Sequence, residues 1–161
     1  MSTGTVLKFQ DVDLVRSQNL ILNKINFELN FEQHLVILGP NGAGKTSLID
    51  IAAGYQFPTQ GEVQILGQTM GKTDLSQLKL SIGYAGPRLK LLMEPAEKVF
   101  DAVISSAYGI IGRWNEKYAD FDIARAEYVL ELLGMKDFRD REFGYLSAGE
   151  TKKVEIARAL M

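Results

Sequence analysis

Residues 39–47 read Gly-Pro-Asn-Gly-Ala-Gly-Lys-Thr-Ser. They match the pattern Gly-x-x-x-x-Gly-Lys-(Ser/Thr), with Gly39, Gly44, Lys45 and Thr46 at the fixed positions and Pro40, Asn41, Gly42 and Ala43 between them. Glycines at this spacing let the backbone curl so that successive N–H groups point inward at a phosphate. Lys45 supplies a point charge for the β- and γ-phosphates, and the Thr46 hydroxyl suits Mg²⁺. The residues that follow, Thr46–Ala53, read as a helix whose N-terminus adds the positive end of its dipole. Leu35-Val36-Ile37-Leu38, just before the loop, has the short continuous apolar character of a strand buried on both faces. A glycine-rich turn alone would bind nothing. The lysine, the hydroxyl and the strand–loop–helix setting together predict a nucleoside triphosphate site.

Composition bounds the remaining classes. At 161 residues the chain fits one domain. Eighteen Lys and Arg against 20 Asp and Glu leave a net charge of −2, so no nucleic-acid partner is expected. The absence of cysteine excludes disulfides and thiolate metal sites and suits a reducing compartment. The opening Met1-Ser2-Thr3-Gly4-Thr5 lacks the charged and apolar blocks of a signal peptide, and the apolar runs are too short to cross a bilayer. The expectation is a cytoplasmic protein that reaches the inner face of a membrane only through a partner.

Two segments of alternating polarity, Val6–Leu14 and Leu20–Leu29, predict an antiparallel layer ahead of the loop, the first with a bulge. Gly54–Gly61 is turn-rich, and Glu62–Leu66 reads as a short strand. Asp74–Leu80 predicts a short helix and Ser81–Ala85 a returning strand. Beyond Pro87 the pattern turns helical. One helix is expected from Pro95 to Gly112, then a polar loop over Arg113–Asp120, then a second helix over Asp122–Leu133 closed by Gly134. The fold class read from this order is α/β: a phosphate-loop NTPase core with an N-terminal antiparallel β layer and an α-helical insertion. Residues 1–86 form the core, 87–145 the helical subdomain and 146–161 the last helix with its lead-in.

Leu146-Ser147-Ala148-Gly149-Glu150 opens that last helix. Taken alone it is a capping box, Ser147 at the N-cap and Glu150 three positions on, and many helices begin this way without binding anything. Beside the phosphate loop the same residues carry more. The chain resembles the ATP-binding cassette (ABC) ATPase family over essentially its whole length, Leu-Ser-Ala-Gly-Glu being similar to that family's signature motif and Ile156-Ala157-Arg158-Ala159-Leu160 to its usual continuation. The resemblance implies ATP and Mg²⁺ as ligands and a second cassette, identical or different, as partner. Ser147, Ala148, Gly149 and Glu150 of one cassette would then close over the γ-phosphate held by Gly39–Ser47 of the other, with Thr46 as the metal ligand. A helix N-terminus bearing a small hydroxyl and a glycine suits such an anion.

The sequence departs from the family pattern in three places. Where the family carries an adenine-stacking aromatic, this chain has Leu14-Val15-Arg16-Ser17-Gln18. Arg16 is the candidate for stacking through its guanidinium plane, with a solvated loop charge as the alternative. Where the family has a glutamine after the Ser81–Ala85 strand, Ala85-Gly86-Pro87-Arg88 has none. The family's Mg²⁺-binding aspartate, catalytic glutamate and later histidine have no counterparts before Met161, and His34 reads as a turn residue. Catalytic residues are therefore expected beyond Met161, and a fragment of a longer chain is expected. The strand that would follow buries four or five aliphatic side chains at roughly 2 kcal/mol each, comparable with a whole domain's stability of about 5–15 kcal/mol. A shorter natural product whose exposed edge a partner covers is the alternative.

The function implied is the energy-coupling, ATP-binding component of a membrane transporter, with a membrane-spanning subunit as partner and hydrolysis belonging to the full-length chain. The alternatives are a soluble ABC ATPase outside transport and a nucleotide-binding module without turnover.

Overall fold

The computed structural model describes residues 4–161, so Met1–Thr3, part of the stretch on which the signal-peptide reading rests, lie outside the described residues. The chain divides into two compact units, one reaching to Leu75 and the other Ser76–Met161.

The first unit is built on a hairpin. Strand β1 (Thr5–Arg16) pairs antiparallel with β2 (Asn19–Asn30). Ser17 and Gln18, with φ of 48° and 65°, make the two-residue turn whose backbone matches strand twist. β3 (Gln60–Ile65) lies on the other side of β1, also antiparallel, and the short β4 (Gln68–Thr69) completes the order β2-β1-β3-β4. The alternation read from sequence holds: Leu7, Phe9, Val12 and Leu14 are buried, and Phe9 stacks on Phe27 with ring centres 4.6 Å apart. The expected bulge is present. Asp11 takes φ 47°, and the register of β1 against β3 shifts between Gln10 and Asp13. Gly61 of β3 sits against this bulge with φ 87°, where an added Cβ would run into the Asp11 backbone carbonyl. Helix α1 (Lys45–Ala52) follows the glycine loop, one residue earlier than read from sequence.

The second unit is helical. It contains α2 (Leu75–Lys79, which straddles the boundary), α3 (Pro87–Leu92), α4 (Val99–Ile104), α5 (Asp120–Leu132) and α6 (Ala148–Leu160). Its core is one cluster in which Val99, Val103 and Ile104 of α4 meet Ala126, Val129 and Leu130 of α5 and Val154 and Ala157 of α6. Asp122 accepts the Ala119 N–H at the start of α5, and Gly134 closes the helix with φ 63°. The stretch ahead of α6 is clipped to the stretch ahead of α4. Val99 N–H bonds the Arg141 carbonyl (2.9 Å), Phe143 N–H that of Glu97 (2.7 Å) and Gly144 N–H that of Pro95 (2.8 Å).

Three expectations are corrected. Leu35–Leu38 joins no ladder, and Val36 and Leu38 are 75 % and 88 % exposed. The four strands of the described sheet pair among themselves, so the apolar run has no neighbour to bond. A cavity of ≈ 350 Å³, lined among others by Phe27, Leu29, Leu35, Ile37, Leu48 and Ile49, remains beside it. Ser81–Ala85 is likewise not a strand; it lies on the last turn of α6, where a Cβ on Gly83 would strike the Ala159 carbonyl. The helix expected over Pro95–Gly112 is α4 plus a 3₁₀ turn, Ser105–Tyr108, ended by Gly109 at φ 66°. The helical character expected beyond Pro87 begins at once, Pro87–Leu92 forming a helix with Pro87 in its first turn.

The Gly61→Ala substitution forces both a left-handed alanine and a displaced bulge. It is expected to lower unfolding stability by roughly 1–3 kcal/mol. A urea midpoint unchanged from wild type would show that the bulge does not depend on this glycine.

Candidate nucleotide-binding site

The loop at Gly39–Lys45 takes its shape from alternating backbone conformations. Gly42 and Gly44 both have φ of 84°, a region that L side chains rarely enter. Space also excludes a side chain at Gly44: an added Cβ would lie 2.9 Å from the Ile21 carbonyl oxygen and 2.8 Å from Leu22 Cδ2. At Gly42 the same position is open. The loop is thus seated on strand β2 at one glycine and faces solvent at the other.

Gly44 is the N-cap of α1, and no side chain caps the helix. The first bond of the ladder runs from Leu48 N–H to the Gly44 carbonyl (2.9 Å). The N–H groups of Lys45, Thr46 and Ser47 therefore precede the ladder, the set of donors every helix leaves over at its start. These three residues border a cavity of ≈ 340 Å³ lined by Ile21, Asn41, Gly42, Gly44, Lys45, Thr46 and Ser47. Lys45 arches back over the loop, Nζ donating to the carbonyls of Gly39 (2.8 Å) and Pro40 (2.7 Å). An ammonium has three donors, so this arrangement closes the loop and leaves one for a phosphate. Donor N–H groups, a cation and the exposed Thr46 hydroxyl on one rim form a donor set suited to a phosphate–Mg²⁺ ligand.

Arg16 ends β1, is exposed, and pairs across the hairpin turn with Asn19. Asn19 precedes Ile21 on β2 by one intervening residue, so Arg16 stands at the hairpin end nearest the loop, although it does not line the cavity. Ile21 is the lining residue that sequence reading passed over. Its signal was indirect, because only the close approach of Gly44 shows which strand backs the loop.

In the second unit, Ser147 is the N-cap of α6 and the reciprocal bonds of a capping box form. Ser147 N–H donates to Glu150 Oε2 (2.6 Å), and Glu150 N–H donates to Ser147 Oγ (3.3 Å). An added Cβ on Gly149 would meet nothing within 4 Å, so the first turn is sterically open. The bonds from Ser147 hold the Glu150 carboxyl below its ordinary value of 4.5, with Arg141 and Lys153 adding smaller attractions and desolvation opposing them. A depressed carboxylate stabilises the fold above its unfolded pKa and loses that contribution as pH falls through the folded value. The stability difference between wild type and Glu150→Gln is therefore expected to be full above pH 4.5 and to shrink on acidification below it. Urea unfolding at a series of pH values reads this, and a difference independent of pH would refute it.

The family model described as ABC transporter matches residues 22–161. The uncharacterized ABC transporter ATP-binding protein YlmA of Bacillus subtilis is 38 % identical over 157 residues, which cover 97 % of this chain and 59 % of that protein. The zinc transport system ATP-binding protein TroB of Treponema pallidum is 29 % identical over 99 % of this chain and 58 % of its own length. The chain thus spans about three fifths of these relatives. The dimeric structure of MJ0796, a bacterial ABC transporter cassette, superposes with a TM-score of 0.81 at 22 % identity, over 96 % of this chain and 68 % of that one. Its fold is accordingly that of the α/β phosphate-loop NTPases, with the antiparallel layer and helical region described above. By the extent of the family match, this chain is a member of the ABC transporter family.

Proposed function

We propose that the chain is the nucleotide-gripping part of an ABC-type ATPase that powers a membrane transporter. The observation that carries this reading is the loop. Gly42 and Gly44 turn it, the leading N–H groups of α1 line its cavity, and Lys45 lies across its opening. In this reading the backbone N–H groups of Gly42, Ala43, Gly44 and Lys45 bind the phosphates of ATP. Lys45 pairs with the β/γ end, Thr46 holds Mg²⁺, Ser47 contacts the α-phosphate side and Arg16 stacks on the base. Bound Mg²⁺ would supply charge neutralisation for the phosphates.

Ser147, Ala148, Gly149 and Glu150 are assigned to the triphosphate of a second cassette. Support comes from the capping box, from the exposure of Ser147, Ala148 and Gly149 at the open first turn of α6, and from the cassette-wide resemblance to a dimeric neighbour. Among the described residues no helix is long and apolar enough to cross a membrane. The membrane-spanning subunit is assigned to a separate partner on the resemblance to transporter ATP-binding proteins. Relatives at 28–29 % identity carry names for zinc transport and spermidine/putrescine import. That variety of cargo in the relatives leaves the cargo of this motor unassigned, and the proposal is of a motor that grips nucleotide. The division into core (1–86), helical subdomain (87–145) and signature helix (146–161) is proposed on the same resemblance.

The Lys45→Ala variant is expected to lose roughly 1.5–3 kcal/mol of charge-assisted bonding, about ten- to a hundredfold in ATP affinity. Titration with a fluorescent ATP analogue measures it, and unchanged affinity would sink the assignment. Water activation is assigned to residues outside this chain. The purified 161-residue chain is accordingly expected to bind ATP without releasing phosphate, and steady turnover in a phosphate-release assay would contradict this.

A further inference from the structure

Arg158 lies in the last turn of α6 and is only 8 % exposed. Its guanidinium spreads across three acceptors, two backbone carbonyls and one hydroxyl, on the stretch from α4 to just beyond the 3₁₀ turn. Nη1 donates to the Ala102 carbonyl, at the end of α4, and to Ser105 Oγ (2.8 Å); Nη2 donates to the Ile110 carbonyl (2.7 Å), beyond the 3₁₀ turn. Ser105 is fully buried, and its hydroxyl donates in turn to the Ala102 carbonyl (3.0 Å). At the same end of α6, Arg125 of α5 donates to the Leu160 carbonyl (2.7 Å).

Apolar packing of Val154 and Ala157 already holds α6 in the bundle. That attraction is non-directional and is nearly indifferent to a small slide or rotation of the helix. Hydrogen bonds from a planar fork are directional, and a cation taken out of water is held to the geometry that satisfies it. A lysine in this position brings the charge without the fork.

We propose that Arg158 is a positioning residue. It sets the register of α6 along and about its own axis, and so the place at which Ser147 and Gly149, about 16 Å away at the other end of the helix, meet the nucleotide of a second cassette. The inference rests on the assignment of Ser147–Glu150 to that nucleotide. It gives Arg158 a part in joining two cassettes and none in gripping ATP within one.

The test compares wild type with Arg158→Lys, Ser105→Ala and Ser147→Arg in the 161-residue chain. Three quantities are measured: affinity for an ATP analogue, urea unfolding, and ATP-dependent self-association by sedimentation equilibrium. Arg158→Lys is expected to bind nucleotide as wild type does but to need about tenfold more protein to associate. Ser105→Ala, which removes one acceptor and leaves the arginine, is expected to weaken association less, in the same direction. Should Arg158→Lys unfold, Ser105→Ala carries the test by itself. Association of both variants at the wild-type concentration, or a parallel loss of nucleotide affinity, overturns the positioning role. If wild type fails to associate with ATP, or Ser147→Arg associates undiminished, the signature assignment itself falls and this inference with it.

Discussion

The contact on which the proposed nucleotide site depends is that of Gly44 with strand β2. The loop's backbone reaches the Ile21 carbonyl and the Leu22 side chain so closely that no side chain fits at Gly44, and the φ of 84° there is open to glycine at little cost. Seating the loop at that point fixes where α1 begins. The position of α1 in turn fixes where its first residues stand, beside the cavity that the proposed function fills with phosphate. The hairpin β1–β2 is therefore the wall of the site as well as part of the sheet. Phe9 on Phe27, and the buried Val12 and Leu14, keep that wall in place.

The second unit solves a different problem, that of presenting a helix end rigidly. The lead-in to α6 is clipped to the stretch ahead of α4 by backbone bonds, and its N-terminus is closed by the reciprocal bonds of Ser147 and Glu150. The far end is tied by Arg158 and Arg125. Between these ends the helix contributes Val154 and Ala157 to the common apolar cluster. A helix so held at both ends keeps its first turn open at Gly149 without losing its direction.

Much of this was legible in the residues because the determinants are local. The loop glycines, the lysine and hydroxyl, the capping box and Gly134 after α5 each act within a few positions of chain. Alternation placed the buried face of β1 correctly, bulge included. What failed in the sequence reading turned on partners it could not see. Leu35–Leu38 has the composition of a buried strand, yet a strand exists only when a neighbour accepts its hydrogen bonds, and the described sheet offers none there. Ser81–Ala85 packs on a helix through Gly83 instead of pairing. The helix after Pro95 ends early because Gly109 turns left-handed and the Ala102 and Ile110 carbonyls are taken up by Arg158 from 48 or more positions away.

The sequence by itself determined the family, the glycine turns of the Gly39–Ser47 loop and the cap of α6, since spacing, side-chain type and backbone freedom are properties of neighbouring residues. Only the tertiary structure decided which strand backs the loop and which apolar runs are paired. It also decided which arginine holds the signature helix, because those outcomes depend on the geometry in which remote donors, acceptors and apolar faces meet.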